Sequence, residues 1–292
     1  MRIALLSGDN RLGWPGTQLI KAIEQSGHQP LLIRLDEISA LISSEHEFYL
    51  KEERLSFEGG IIRGLGAAST DEITYRISLL EHLNFDKKIL INEPYAFRRA
   101  KDKYATLLLL SKNKIPVPKT LVTEDAEQAY KIAEKWGCVV IKPLIGSRGL
   151  GPIKSDNPDL SYRIIKTLKR LHQVLYVQEY IANPGRDIRV FVIGGRVIGG
   201  MYRVAKPGEW KSNIAAGAKP CKLDLNKELE DLAVKTASVM GLDYTGIDIL
   251  ESAEGYKVVE ANAAPSWHGL NEVLKTDIAK LIIEHLISKI KS

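Results

Sequence analysis

The chain has 292 residues, which is enough to bury a sizeable core and more than most single domains contain. Its 41 Lys and Arg outnumber its 36 Asp and Glu by too little to indicate a nucleic-acid-binding protein, but the surplus suits small anions in a cleft. Cys138 and Cys221 form no CxxC motif, so we expect reduced thiols in a cytoplasmic protein and no zinc site at the cysteines. No apolar run approaches 18 residues, so we expect no membrane span, and the apolar start predicts a strand and not a secretory signal.

The first third of the chain alternates predicted strands and helices. Apolar residues 3–6 predict a strand, residues 19–23 have helical spacing before Gly27, and residues 31–35 predict a second strand. Strand, helix and strand in so short a stretch indicate a βαβ unit and therefore a parallel sheet. Strands near 60–62 and 89–91, separated by a helix, complete an open α/β domain over residues 1–95. Its early glycines do not form GxGxxG, so no dinucleotide site is predicted.

The remaining chain predicts two α+β subdomains, at residues 96–181 and 182–292. In the central subdomain, helices near 102–108, 125–136 and 158–172 alternate with the runs CVVIKP and VLYVQEYI. In the last subdomain, two alternating strands surround a Gly194-Gly195 turn, which is a hairpin signal. Helices near 225–240 and 276–290 flank a second hairpin.

This second hairpin, GIDILESAEGYKVVEAN, carries the clearest chemical signal. It places Asp248 on one strand and Glu260 with Asn262 on the next, around a turn at residues 252–255. Side chains two apart on a strand share a face, so Glu260 and Asn262 project together with Asp248 opposite them. Two carboxylates and an amide oxygen suit Mg²⁺ whose remaining ligands are phosphates and water. The alternative is an ordinary solvated hairpin.

Several other segments carry candidate nucleotide-binding groups, each with a structural alternative. The loop at residues 146–151, GSRGLG, predicts either a phosphate-binding flap or a plain turn, and no Walker A motif follows it. Lys142 lies on an otherwise apolar strand, where a lysine needs a partner. The segment VQEYI predicts either an adenine slot or a plain strand. Arg189 and Arg203 could hold charge on a phosphoryl group or could neutralise Asp248 and Glu260.

Taken in order, these motifs resemble the ATP-grasp ligases, and specifically the RimK-type amino-acid ligases. The resemblance spans nearly the whole chain through DK, IKP with its glycine-rich loop, QEY, RDIRVFV, YR, SN, GID and EAN. It implies an ATP-grasp fold of mixed α/β class, in which two α+β subdomains clamp ATP beside the N-terminal domain. It also implies ATP with Mg²⁺ or Mn²⁺, two ions in all, and a homodimer or homotetramer.

The resemblance implies a role for each candidate residue. Arg203 would be the catalytic cation at the transition state, and Asp248, Glu260 and Asn262 would bind metal. The residues implied at the nucleotide phosphates are Lys103, Lys142, Gly146, Ser147, Arg148, Gly149 and Asn213, and Lys211 and Ser212 belong to the same nucleotide-binding loop as Asn213. The residues implied at the adenine are Gln178, Glu179, Tyr180 and Ile181. Asp187 is implied at the ribose.

Within that family, RGLG-xxxx-DEITYRISLLEHL and ILINEPYAFRRAKDK are similar to the tetrahydromethanopterin:glutamate ligase branch. The implied reaction joins the amine of L-glutamate to an acceptor carboxylate through an acyl phosphate. The acceptor would be a pterin. Alternatives are a deazaflavin coenzyme, the C-terminus of a ribosomal protein, or that of a small acidic carrier protein. An alternative of another class is an ATP-binding regulator without turnover.

Overall fold

The computed structural model describes residues 1–9, 12–146, 151–214 and 217–292. The N-terminal part contains a four-stranded parallel sheet of order β2-β1-β6-β7. Its elements are β1 (Arg2–Ser7), α1 (Gly13–Gln25), β2 (Gln29–Arg34), β6 (Gly59–Gly64), α2 (Thr70–Phe85) and β7 (Ile89–Ile91). The βαβ prediction is confirmed by this sheet. Helix α2 begins at a capping box, in which Ser69 and Glu72 satisfy each other's backbone N–H groups.

A small antiparallel sheet interrupts this domain and was not predicted. A short 3₁₀ turn (Leu35–Glu37) leads into β3 (Ile38–Ile42), β4 (His46–Leu50) and β5 (Glu53–Arg54), which pair in that order. These strands are short and largely solvent-facing, so their hydrophobic alternation is weak. In the chain they lie between β2 and β6, so the connection between these two strands of the parallel sheet contains a small sheet of its own.

The central part is an antiparallel sheet of order β10-β9-β11-β8 with helices against it. The chain enters it through α3 (Pro94–Lys101) and α4 (Lys103–Lys112), which Asp102 separates by capping α4. The elements that follow are β8 (Thr120–Thr123), α5 (Ala126–Trp136), β9 (Val139–Lys142), β10 (Ile153–Ser155), α6 (Pro158–Arg170) and β11 (Leu175–Glu179). Gly137, at φ +74°, ends α5 and lets the chain turn into β9.

The C-terminal part is a five-stranded antiparallel sheet of order β14-β13-β12-β15-β16. Its elements are β12 (Arg186–Ile193), β13 (Arg196–Val204), β14 (Lys219–Lys222), α7 (Lys227–Met240), β15 (Tyr244–Ser252), β16 (Gly255–Asn262), α8 (His268–Val273) and α9 (Ile278–Lys291). Both hairpins predicted from the sequence are present in this sheet. Parallel and antiparallel sheets together confirm the mixed α/β class.

The hydrophobic cores join the first and last sheets. Ala4 and Leu6 contribute to one core with Val190, whereas Ile3 and Leu5 contribute to a second core with Phe191 and α9. This alternation follows the two-residue period of a strand. The central sheet, α5 and α6 have a separate core of their own. The three-part division at residues 95 and 181 stays a prediction. Within the described ranges, no helix is both long and apolar enough to cross a bilayer.

Candidate active site

Strands β15 and β16 bring the three predicted metal ligands to one end of the last sheet. Asp248 pairs directly with Glu260, and Gly246 pairs with Asn262, so all three side chains belong to neighbouring positions of one ladder. A register shift follows Asp248. The Asn262 amide donates its Nδ2–H to the Gly246 carbonyl at 3.2 Å, which fixes the side chain's orientation beside the two carboxylates.

Two arginines hold the aspartates of this site. Arg189 donates from Nε and Nη2 to the two oxygens of Asp248, each at 2.7 Å. Arg203 donates in the same two-pronged way to Asp187 at 2.6 Å, and its Nη2 also lies 3.0 Å from Asp248. Such paired hydrogen bonds between guanidinium and carboxylate fix both groups in direction. The arginines therefore do neutralise Asp248, as one of the two sequence interpretations proposed.

The two facing carboxylates have opposite pKa shifts. Burial raises the pKa of Glu260, and the negative charge of Asp248 raises it further. Burial also acts to raise the pKa of Asp248, but Arg189 and Arg203 outweigh it and leave the value below the usual range. Asp248 therefore stays negatively charged because two arginines neutralise it. The ionised form of Glu260 lacks such a partner and would be stabilised by a nearby positive charge.

A divalent metal fits this donor set. Among the described residues, Glu260 accepts no hydrogen bond and forms no ion pair within 4.0 Å, although Asp248 lies directly across the ladder. Two carboxylates and an amide oxygen are hard ligands of the kind that Mg²⁺ and Mn²⁺ accept. A cation between them would lower the pKa of Glu260 and relieve its repulsion from Asp248.

Two lysines of the central part face Glu260. Burial lowers the pKa of Lys142 to about 8, Lys103 lowers it further, and Glu260 acts in the opposite direction. Burial likewise lowers the pKa of Lys103, again opposed by Glu260. The Nζ of Lys142 donates to Oε1 of Gln178 at 2.6 Å, and the Nζ of Lys103 donates to the carbonyls of Leu144 and Gly146 at 3.2 and 3.3 Å. A pair of incompletely neutralised cations opposite two carboxylates suits a polyphosphate with its metal.

The segment predicted to bind adenine runs from the end of β11 into a loop. Gln178 is buried and its amide donates to Thr120 Oγ1 at 2.8 Å, while Glu179 accepts from the backbone N–H of Lys119 at 2.9 Å. Tyr180 follows, with the Lys154 ammonium 4.0 Å above its ring. The side chains of Gln178 and Glu179 thus already have protein partners, and Ile181 is buried beyond them.

The two loops predicted to bind phosphate are described in part. Gly146 is exposed at the start of the first loop, whereas Ser147, Arg148 and Gly149 lie outside the described residues. In the second loop Ser212 is buried, and its side chain acts to lower the pKa of Asp187, against the larger effect of burial. Lys211 and Asn213 flank it and are partly exposed, with the Lys211 ammonium 5.4 Å from the Trp210 ring centroid.

Asn92 and Arg63 were missed by sequence reasoning, although both follow or end apolar strands at the carboxyl edge of the parallel sheet. Asn92 is fully buried; its amide donates to the carbonyls of Tyr244 and Ala263 at 2.8 and 2.6 Å, and its oxygen accepts from the Tyr244 N–H at 3.0 Å. Arg63 donates to the Tyr244 hydroxyl at 3.1 Å and lies over the Trp267 ring. These contacts fasten the parallel sheet to the ends of β15 and β16. The sequence signal that could have identified Asn92 is its position as a polar residue directly after a buried apolar strand.

Comparison with known proteins agrees with this architecture. The model of the RimK-like ATP-grasp domain matches residues 100–286. Tetrahydromethanopterin:alpha-L-glutamate ligase of Methanococcus maripaludis is 34% identical over 100% of this chain and 99% of its own length. A probable alpha-L-glutamate ligase of Rhodopirellula baltica is 31% identical over 99% of this chain and 72% of its own. The structure of ATP-grasp ligase PsnB with minimal precursor, Mg and ADP has a TM-score of 0.76 at 22% identity, covering 99% and 97% of the two chains, and it confirms the fold.

Proposed function

Because the chain belongs to the RimK-like ATP-grasp family, we propose that it is an ATP-dependent ligase that joins the amine of L-glutamate to an acceptor carboxylate. The full-length relative from Methanococcus maripaludis supports glutamate as the amine substrate and a tetrahydromethanopterin-type pterin as the acceptor. The second relative is named only as an alpha-L-glutamate ligase, so the reaction has broader support than the acceptor.

The observation that carries the proposal is the position of Glu260. It lies directly across from Asp248 in the last sheet and is close enough to Lys103 and Lys142 to change the pKa of each lysine. If the phosphates of a nucleotide lie between those lysines and the carboxylates, the phosphates would neutralise the lysines, and the metal ions bound to the phosphates would neutralise the carboxylates. Mg²⁺ or Mn²⁺, as two ions, would neutralise phosphate charge and align the terminal phosphoryl group when bound.

The chemistry then needs two transfers. An oxygen of the acceptor carboxylate attacks the γ-phosphorus of ATP, the bond to the bridging oxygen breaks, and ADP leaves with an acyl phosphate remaining. The glutamate amine attacks the acyl carbon, phosphate leaves with the former acceptor oxygen, and the nitrogen loses a proton to give the amide. The protein positions these groups and balances their charge, so it requires no covalent nucleophile.

In this proposal the described residues have separate tasks. Lys103 and Lys142 bind the nucleotide phosphates, together with Asn213 and the loop from Gly146, and Arg203 stabilises charge on the transferring group. Asp187 keeps Arg203 in position through its two hydrogen bonds, and its contact with the ribose stays a prediction. The adenine role of residues 178–181 stays a prediction: Gln178 and Glu179 direct their side chains at other protein atoms, and the backbone N–H groups of Glu179 and Tyr180 donate to the carbonyls of Lys119 and Cys138.

The test is an ADP-release assay with ATP, Mg²⁺ and L-glutamate, run against pterin, deazaflavin and carrier-protein acceptors. We expect ADP release to require glutamate and to be fastest with the pterin. Glu260→Gln should lower turnover more than about 100-fold, or about 2.7 kcal/mol of barrier. The matched control is Glu254→Gln, which removes an exposed carboxylate from the turn of the same hairpin and should leave turnover unchanged.

The alternatives make different predictions in this assay. If ADP release is faster with a deazaflavin or a carrier protein than with the pterin, that molecule is the acceptor, and the proposed ligase reaction still holds. ATP binding without ADP release across all acceptors would indicate a regulator and refute the proposed reaction. Full turnover by Glu260→Gln would show that Glu260 is not a metal ligand needed for the reaction.

A further inference from the structure

A cluster of two histidines and an aspartate lies away from the proposed active site. His46 begins β4, His82 lies on the last turn of α2, and Asp86 directly follows that helix. Helix α2 starts near the carboxyl end of β6 and runs back along the parallel sheet. Its C-terminus therefore lies at the opposite edge from the strand ends that carry Arg63 and Asn92.

The spacing of the three side chains matches metal coordination. The Nδ1 of His46 is 3.1 Å from Oδ1 of Asp86, and the Nε2 of His82 is 3.6 Å from Oδ2 of the same carboxylate. One ligand atom from each residue can be chosen so that all lie within 4.8 Å of one another. Two ligands at tetrahedral positions around Zn²⁺, with bonds of about 2.0–2.1 Å, lie about 3.3–3.4 Å apart. The observed spacings to Asp86 lie on either side of that value.

The Nε2 atom of His82 supplies a second, independent observation. It is buried and has no hydrogen-bond partner among the described residues, because the Asp86 oxygen at 3.6 Å is beyond hydrogen-bond length. A buried polar nitrogen without a partner is costly, and in a native protein it calls for an unseen water or ion. The His82 ring is held in place by the rings of His46 and Phe48, each with its centroid 4.6 Å away, so it cannot readily turn towards solvent.

A cavity of about 360 Å³ opens onto the cluster and leaves room for a further ligand. His46 and Asp86 line it, together with the cations Arg54 and Lys88. Both cations have other partners: Arg54 lies 3.7 Å from Glu47, and Lys88 donates to a backbone carbonyl at 2.9 Å. Within 4 Å, the ion pairs that Asp86 forms among the described residues are those with His46 and His82, and neither Arg54 nor Lys88 takes part.

We propose that His46, His82 and Asp86 form a binding site for a divalent transition metal, with Zn²⁺ as the best match. Imidazole nitrogens with one carboxylate prefer Zn²⁺ and its neighbours over Mg²⁺, so this site and the proposed nucleotide site take different ions. A water molecule or an anion from the cavity occupies the fourth position. The metal fastens the small β3–β5 sheet to the end of α2 and has no part in the ligase chemistry.

The experiment measures zinc bound per chain on tag-free, full-length protein. The protein is equilibrated with Zn²⁺ in excess Mg²⁺, which occupies the hard-oxygen site, then dialysed and analysed by mass spectrometry of the metal. We expect one Zn²⁺ per chain in the wild type and none at this site in His46→Gln or Asp86→Asn. The matched control is His172→Asn, an exposed histidine with φ +54° that asparagine tolerates, and it should bind zinc like the wild type.

Two further readouts separate loss of the ligand from loss of the fold. Co²⁺ in place of Zn²⁺ should give the intense visible bands of a four-coordinate site in the wild type but not in His46→Gln. Zn²⁺ should raise the melting temperature of the wild type and leave that of His46→Gln unchanged, because a ligand stabilises only the state that binds it. Equal zinc content in the wild type and a correctly folded His46→Gln variant would overturn the proposal, as would a Co²⁺ complex without those bands.

Discussion

Lys142 offers a sharp test of the proposed phosphate site, because burial lowers its pKa to about 8. Bound phosphates would favour its protonated form, so nucleotide binding should draw a proton from solution. With that starting pKa, Lys142 alone should contribute an uptake of about 0.1 proton at pH 7 and about 0.5 at pH 8, measured as the difference between the wild type and a variant without this lysine. Arginine stays protonated throughout this range, so Lys142→Arg should bind nucleotide without this uptake.

Calorimetric titration with MgADP in two buffers of different ionisation enthalpy measures this proton uptake directly. The control is Lys112→Arg at the exposed end of α4, which should retain the wild-type uptake. The measurement reports binding alone, so ionisation of the glutamate amine does not enter it. Uptake that is identical in Lys142→Arg and the wild type at pH 8 would refute contact between this lysine and the phosphates.

The remaining predictions concern stability. Arg189→Met should destabilise the protein by about 3–5 kcal/mol in urea unfolding because the buried Asp248 loses two hydrogen bonds and keeps only its contact with Arg203, and the double variant with Asp248→Asn should cost clearly less than the sum of the single changes. Strict additivity would show that the pair is not coupled, and exposed Arg196→Met should change stability by no more than about 0.5 kcal/mol. Asn92→Ala should cost about 3–5 kcal/mol, since three buried hydrogen bonds end at that side chain; a loss below about 1 kcal/mol would contradict this role. Gly8→Ala should lower the expression or melting temperature, because its Cβ would lie 1.9 Å from a backbone oxygen of the neighbouring loop, and an unchanged melting temperature would show that the loops separate freely.

Much of the fold was predictable because local patterns agree with tertiary packing. The buried alternation of β1, the capped helices and the Gly194-Gly195 turn each have a local sequence signal. The β3–β5 sheet escaped prediction because its strands are short and mostly solvent-facing. Helix α3 (Pro94–Lys101) was also missed, whereas the helix predicted near 102–108 is present as α4, capped by Asp102.

The site was predictable to the extent that its chemistry lies within one hairpin. Asp248, Glu260 and Asn262 face each other because strand period and turn position determine their register. Which carboxylate Arg189 or Arg203 would bind depends on strand order in the sheet, and β12 lies between β13 and β15. Asn92 joins groups more than 150 positions away along the chain, and no local pattern reports such a contact.

The separate core beneath the central sheet has a consequence for local opening. Amide hydrogens of β8, β9 and β11 can exchange when that unit alone opens, while the joined cores of the first and last sheets remain closed. Lys142, on β9, comes from the unit with the independent core. Glu260 belongs to the unit with the joined cores, as does Lys103 on α4, whose Leu110 packs there. A nucleotide that binds residues of both units should slow amide exchange in both. The two units would then open together, in one cooperative event.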